Sequence, residues 1–116
     1  MKLLIAGSRS IEEFDLSEYI PTETTLIISG GAKGIDTIAE EYATKHKISK
    51  LILYPDYARF GKAAPLKRNE EMVNIADEIL IIWDGSSKGT AYTVKYAKKC
   101  GKAVRVITAF SPSDHN

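Results

Sequence analysis

The residues Ser29-Gly30-Gly31-Ala32-Lys33-Gly34-Ile35-Asp36 form the stretch of this chain best suited to chemistry. The run follows an apolar segment, Leu26-Ile27-Ile28, and opens a segment of helical periodicity. Glycines at such a junction let backbone approach a ligand closely, and a helix start presents unpaired N–H groups with a partial positive charge. That combination favours phosphate. A tight strand-to-helix turn uses the same glycines equally well. The spacing matches neither familiar nucleotide template. Ser29 stands where a dinucleotide fingerprint has its first glycine, Gly31 and Gly34 fill the other two positions, and no Gly-Lys-Ser/Thr follows as a Walker A loop requires. Asp36 has two roles open to it: complementing the helix dipole, or accepting from a sugar hydroxyl or a base.

Three other groups carry the same chemistry. Gly7-Ser8-Arg9-Ser10 follows the first apolar run, and Arg9 stands where a bidentate phosphate contact is natural. Asp84-Gly85-Ser86-Ser87-Lys88-Gly89-Thr90 reads as an anion-binding nest before a helix, with Thr90 as the candidate N-cap. Lys67-Arg68-Asn69 lies near a helix start, where a cation opposes the dipole. A bound anion would offset that, and so would pairing of Lys67 or Arg68 with Glu71. Tyr54, or an aromatic between Tyr57 and Phe60, would cover a base or pack as a lid. Lys33, Arg59, Lys62, Lys67, Arg68 and Lys88 form a basic rim around these aromatics.

Five apolar runs must position these groups: Lys2 to Ala6, Thr25 to Ser29, Lys50 to Tyr54, Glu78 to Trp83 and Ala103 to Ile107. Their continuous aliphatic character predicts parallel strands buried on both faces. Helical periodicity after the glycine run, after Pro65 and after Thr90 fills the gaps, and a weaker helix is expected from Ile11 to Ile20, stopped by Pro21. Alternating strand and helix predicts an α/β fold, a doubly wound sheet of about five parallel strands in the order 3-2-1-4-5 with helices on both faces. Ligands of such sheets bind beyond the carboxyl ends of the strands, near the reversal of strand order, and all the loops named above fall there.

With 116 residues the chain reads as one domain over residues 1–110 with a loose tail over 111–116. The formal net charge of +1 gives no whole-molecule pull toward nucleic acid or membrane. No apolar run approaches the roughly 20 residues that cross a bilayer, so no membrane role is expected. The single cysteine, Cys100, forms no internal disulfide and reads as a packing residue; a cytoplasmic location follows as the default. No cofactor motif or metal-ligand cluster is spelled out, and Mg2+ would enter only with the phosphates of a ligand.

The same loops resemble a known family. Gly7-Ser8-Arg9, the run from Ser29 to Asp36, Tyr54-Pro55 and Lys67-Arg68-Asn69 are similar to the Rossmann-like core of the DNA-processing protein A (Smf) family. Small stand-alone members of the same SLOG superfamily are nearer still. They carry Gly-Lys-Ala-Ala before Arg-Asn-x-x-Met, which here reads Gly61-Lys62-Ala63-Ala64 and then Arg68-Asn69-Glu70-Glu71-Met72. A more distant likeness is to the cytokinin-activating phosphoribohydrolase (lysine-decarboxylase-like) family, at Arg68, Met72 and Gly89-Thr90. The resemblance implies a site for a nucleotide or nucleotide derivative. That hydrolase family also carries a glutamate three residues after its threonine, and here the position is Thr93. A hydroxyl cannot activate water or stabilise an oxocarbenium-like centre as a carboxylate does.

The resulting expectation is a nucleotide-binding or nucleotide-sensing module without strong catalytic apparatus. Phosphate would be held by backbone near Gly30, Gly31, Gly34 and Gly89 with Arg9, Ser86, Ser87, Thr90 and Arg68, and Asp36 or Asp84 would accept from ribose or base. Two alternatives stand beside it: a hydrolase of N-glycosidic or phosphate bonds, and a single-stranded nucleic-acid binder. Exposed apolar positions on the helix after Thr90 offer a surface for a homodimer.

Overall fold

The computed structural model describes residues 1–109, so the tail expected at 111–116 lies outside the described residues. Five parallel strands form one sheet: β1 Lys2–Gly7, β2 Leu26–Ser29, β3 Ser49–Ile52, β4 Glu78–Trp83 and β5 Ala103–Thr108. Their order is β3-β2-β1-β4-β5, as the sequence predicts. The central register sets Leu4 of β1 beside Ile28 of β2 on one side and Ile79 of β4 on the other. Aliphatic residues at these positions are buried because both faces of the central strands are covered. The edge strands differ. Ser49, Lys50 and Leu51 of β3 and Ala103, Arg105 and Val106 of β5 are exposed, so the expectation of strands buried on both faces holds only for the centre.

The helices are α1 Ile35–Lys45, a single turn α2 Tyr57–Phe60, α3 Ala64–Ile75 and α4 Lys88–Lys99. Helix α1 packs Ile35, Ala39 and Ala43 on one face of the sheet against Leu3, Ile5, Ile27, Leu80 and Ile82. Met72, Val73 and Ala76 from the α3 segment and Ala97 of α4 cover the opposite face against Leu4, Ile28, Ile79 and Ile81. Pro65 sits in the first turn of α3, where its missing N–H costs nothing.

Four local expectations change. The helix predicted from Ile11 to Ile20 is irregular chain. Its apolar residues Ile11 and Leu16 still fill the core beneath α1, while Asp15 uses its carboxylate to accept from the Ser17 amide and hydroxyl, a turn that competes with helix. Strand β3 stops at Ile52 rather than Tyr54, because its partner β2 ends at Ser29, the last residue with which it pairs. The N-cap of α4 is Ser87, whose Oγ accepts from the Thr90 amide, so Thr90 itself is inside the helix. Cys100 follows the last turn of α4 and is exposed, not packed.

Candidate functional site

The order of strands reverses between β1 and β4, and there the carboxyl edge opens into a cavity of about 420 Å³. Its wall takes Ala6 and Gly7 from β1, Arg68 and Met72 from α3, and Gly89, Thr90 and Thr93 from α4. Arg9, Asp36, Asn69, Asp84 and Ser87 complete the predicted residues that reach it.

The glycine run builds one side of this cavity. Gly34 has φ +76°, and a Cβ there would lie 2.5 Å from the Ser8 carbonyl oxygen. Only glycine allows both that conformation and that contact, which brings the β1 and β2 loops together. The link is reinforced by the Ile35 amide, which donates to the Ser8 carbonyl. Gly31, at φ +70°, lies under the Tyr54 ring. Asp36 does not serve as an N-cap. Its Oδ2 reaches back to accept from the Ala32 amide at 3.1 Å, fixing the loop from inside. Burial pushes this carboxyl above the usual range, although the Ala32 hydrogen bond and the nearby Arg68 charge oppose the rise.

Arg68 is 8% exposed, unusual for a cation, and lines the cavity. Its Nη1 donates to the Gly30 carbonyl and to the Leu53 carbonyl, joining the ends of β2 and β3, while Nε donates to Asn69 Oδ1 at 2.8 Å. The ion pair with Glu71 expected from spacing is not made. Lys67 lies 3.9 Å from Glu70 instead, and Arg68 turns inward. Burial lowers the guanidinium's proton affinity, and Asp36 beside it pulls the other way. Gly30 separates these two groups: a Cβ there would stand 2.9 Å from Arg68 Nη1 and 2.9 Å from Asp36 Oδ2. Among the described residues Arg68 Nη2 has no hydrogen-bond partner.

The β4–α4 loop is organised by Asp84. Its Oδ1 accepts from the Ser86 and Ser87 amides, each at 2.9 Å, and Oδ2 accepts from the Ser10 hydroxyl. The Asp84 amide in turn donates to Ser8 Oγ. These donors, the Ser86 amide foremost, hold the carboxyl well below the usual carboxylate range. Two amides of the expected nest therefore point at a carboxylate of the protein. The remaining first-turn amides of α4, Lys88 and Gly89, have no described partner and sit where the helix dipole is positive. A Cβ on Gly89 would meet nothing within 4 Å.

Several predicted residues frame the cavity without lining it. Ser29 is buried, donates to Glu40 and accepts from the Gly31 amide. Ser8, Gly30, Gly31, Gly34, Gly85 and Ser86 shape the loops, and Lys33 and Lys62 are exposed outside the lining. Tyr54 is 68% exposed and stands off the cavity, on the outer side of Gly31. Ala6, Ser10, Ala32, Pro65, Leu66, Met72 and Thr93 also line the wall, although the sequence assigned none of them a ligand-binding role. Thr93 Oγ1 donates to the Gly89 carbonyl at 3.0 Å, so its hydroxyl is spent within α4. Thr93, marked in the sequence only as the position that lacks the hydrolase glutamate, lies one turn beyond Thr90 on the same face. Nothing in spacing alone marks Pro65 or Leu66.

Among the described residues no three His, Cys, Asp or Glu side chains gather as metal ligands, and no helix is long and apolar enough to cross a membrane. Comparison with family models, with curated proteins and with solved structures gave no match.

Proposed function

We propose that this chain binds a nucleotide or nucleotide derivative in the cavity between β1 and β4, as a module of the SLOG type. The observation that carries the reading is the buried Arg68 at the cavity wall, with Nη2 unpartnered among the described residues and the start of α4 lining the same cavity. An arginine desolvated this far is retained at a cost unless it meets an anion, and Asp36 offsets only part of its charge. The first-turn amides of α4 supply donors of the kind that hold phosphate. Arg9 at the rim adds a second guanidinium suited to bidentate contact. Asp36, rather than Asp84, is the acceptor for ribose or base, because both Asp84 oxygens already accept from the protein. Met72 and Leu66 offer apolar surface for a sugar or base, a role that Tyr54 is too far outside to fill.

Calorimetric and thermal-shift titration with nucleoside mono-, di- and triphosphates and with dinucleotides tests this. At least one is expected to bind, and more weakly to Arg9→Ala, whose folding is checked by circular dichroism, since the exposed Arg9 side chain makes no described hydrogen bond. No binding by any of them would overturn the proposal.

A second reading, hydrolysis of a nucleotide, is favoured by one feature. Asp36 is a buried carboxyl at the cavity wall whose pKa is raised, which suits general acid–base work. It predicts product release from nucleoside monophosphates that disappears in Asp36→Asn. Binding without release leaves the module reading alone.

A further inference from the structure

Charge along this chain is segregated in a way that net charge hides. Residues 10–32 carry five acidic side chains and no Lys or Arg, whereas residues 85–109 carry five lysines, one arginine and no Asp or Glu. The fold puts the acidic segment on the α1 face of the sheet and the lysines of α4 on the other, while Arg105 of β5 turns to the acidic side and donates to the Tyr19 carbonyl. Glu12, Glu13, Asp15, Glu18 and Glu23 are exposed on the segment whose Ile11 and Leu16 pack with α1. Lys45 of α1 is the cation that lies near Asp15. Helix α4 lies on the other face and exposes Lys88, Lys95, Lys98 and Lys99.

Among the described residues the basic face also has an uncovered apolar groove of about 440 Å³ between α4 and β5, floored by Trp83, Ala91, Val94 and Val106 and flanked by Lys95 and Lys98. Strand β5 pairs only with β4, so its outer edge is open among the described residues. Two copies meeting through α4 about a two-fold axis would set Lys95 and Lys98 against their own counterparts, which like-charge repulsion disfavours. The complement to this surface is present on the chain itself.

We propose that the α4–β5 groove docks a second copy of this chain head to tail, through the acidic segment between β1 and β2. The contact is heterologous: each copy offers a basic groove on one side and an acidic segment on the other, so association extends rather than closing as a dimer. The lysine rim attracts the acidic face and fixes direction, and apolar contact at Trp83, Val94 and Val106 adds to it without sufficing alone.

Sedimentation velocity of the full chain across a concentration series tests this. Average mass is expected to rise above the 12.8 kDa of one chain at low ionic strength and to return toward it in about 0.5 M salt, where the screening length is roughly 4 Å. Lys95→Glu/Lys98→Glu and Glu12→Lys/Glu13→Lys are each expected to remain monomeric alone and to associate when mixed, since each keeps one native face and the altered faces are again opposite in charge. All four positions are exposed, and unchanged circular dichroism confirms folding of both variants. A wild-type chain that stays monomeric at every concentration and salt would overturn the proposal. So would a Glu12→Lys/Glu13→Lys variant that still associates with itself while the lysine variant does not, which marks a two-fold dimer. Binding of a single-stranded oligonucleotide through Lys95 and Lys98 by a chain that never self-associates would overturn it too.

Discussion

Arg68 and Asp84 show how single residues serve both structure and site. Arg68 satisfies the carbonyls of Gly30 and Leu53, so Arg68→Met is expected to lower unfolding free energy by about 2–4 kcal/mol in urea titration, as buried acceptors are left bare. Asp84 is held below the usual carboxylate range by its loop amides and Ser10. A carboxyl depressed in the folded state adds stability above its unfolded value and loses it as pH falls. Asp84→Asn is therefore expected to unfold at a lower temperature than wild type near neutral pH, with the gap closing below about pH 4. Asp36 runs the other way. Its folded value is raised, so ionisation costs stability at neutral pH, and the cost vanishes as pH falls through that value. Asp36→Asn keeps an oxygen for the Ala32 amide and is expected to be at least as stable as wild type near pH 7, the advantage shrinking in acid.

At the scale of elements, the loops are held by contacts of very different stringency. Gly34 has φ +76° and lies against the Ser8 backbone, whereas a side chain on Gly89 would enter open space. Gly34→Ala is expected to destabilise by about 3 kcal/mol or more, because the β1 and β2 loops must separate. Gly89→Ala is expected to leave stability unchanged or raise it by up to about 1 kcal/mol through helix propensity. Thermal and chemical unfolding of the pair checks both. The glycine run was legible in sequence as a junction, but not which glycine bears the constraint. Likewise the helix expected from Ile11 to Ile20 had the right apolar residues and the wrong backbone. Ile11 and Leu16 reach the core from irregular chain, which periodicity cannot distinguish from a short amphipathic helix.

Across the whole molecule, stability is concentrated at the centre of the sheet. Leu3, Leu4, Ile5, Ile27, Ile28 and Ile79 to Ile82 are all at most 1% exposed, while β3 and β5 show side chains to solvent. Hydrogen exchange is expected to be slowest in β1, β4 and β2 and fastest among the strands in β3 and β5, as edge strands open without global unfolding. Uniform protection across all five strands would contradict this. The same centre carries the cavity, so the site rests on the most rigid part of the fold, with its framing loops tied to it by Ser8, Asp36 and Asp84.

Sequence alone determined the alternation of strand and helix, the five-strand order and the edge at which the Gly/Ser/Arg loops gather. These follow from local patterning and from the handedness of crossover connections, both written along the chain. It did not determine which of those residues touch a common space. Ser29, Ser8 and Tyr54 were as eligible by type and place as Ser87 and Arg9, yet only Ser87 and Arg9 line the cavity. The acidic segment and the lysines of α4 were also written in the chain, but only folding set them on opposite sides of the sheet, with Arg105 turned to the acidic side. Orientation and partnering depend on contacts between residues far apart in sequence, such as Arg68 with Gly30, and those exist only once the chain has closed on itself.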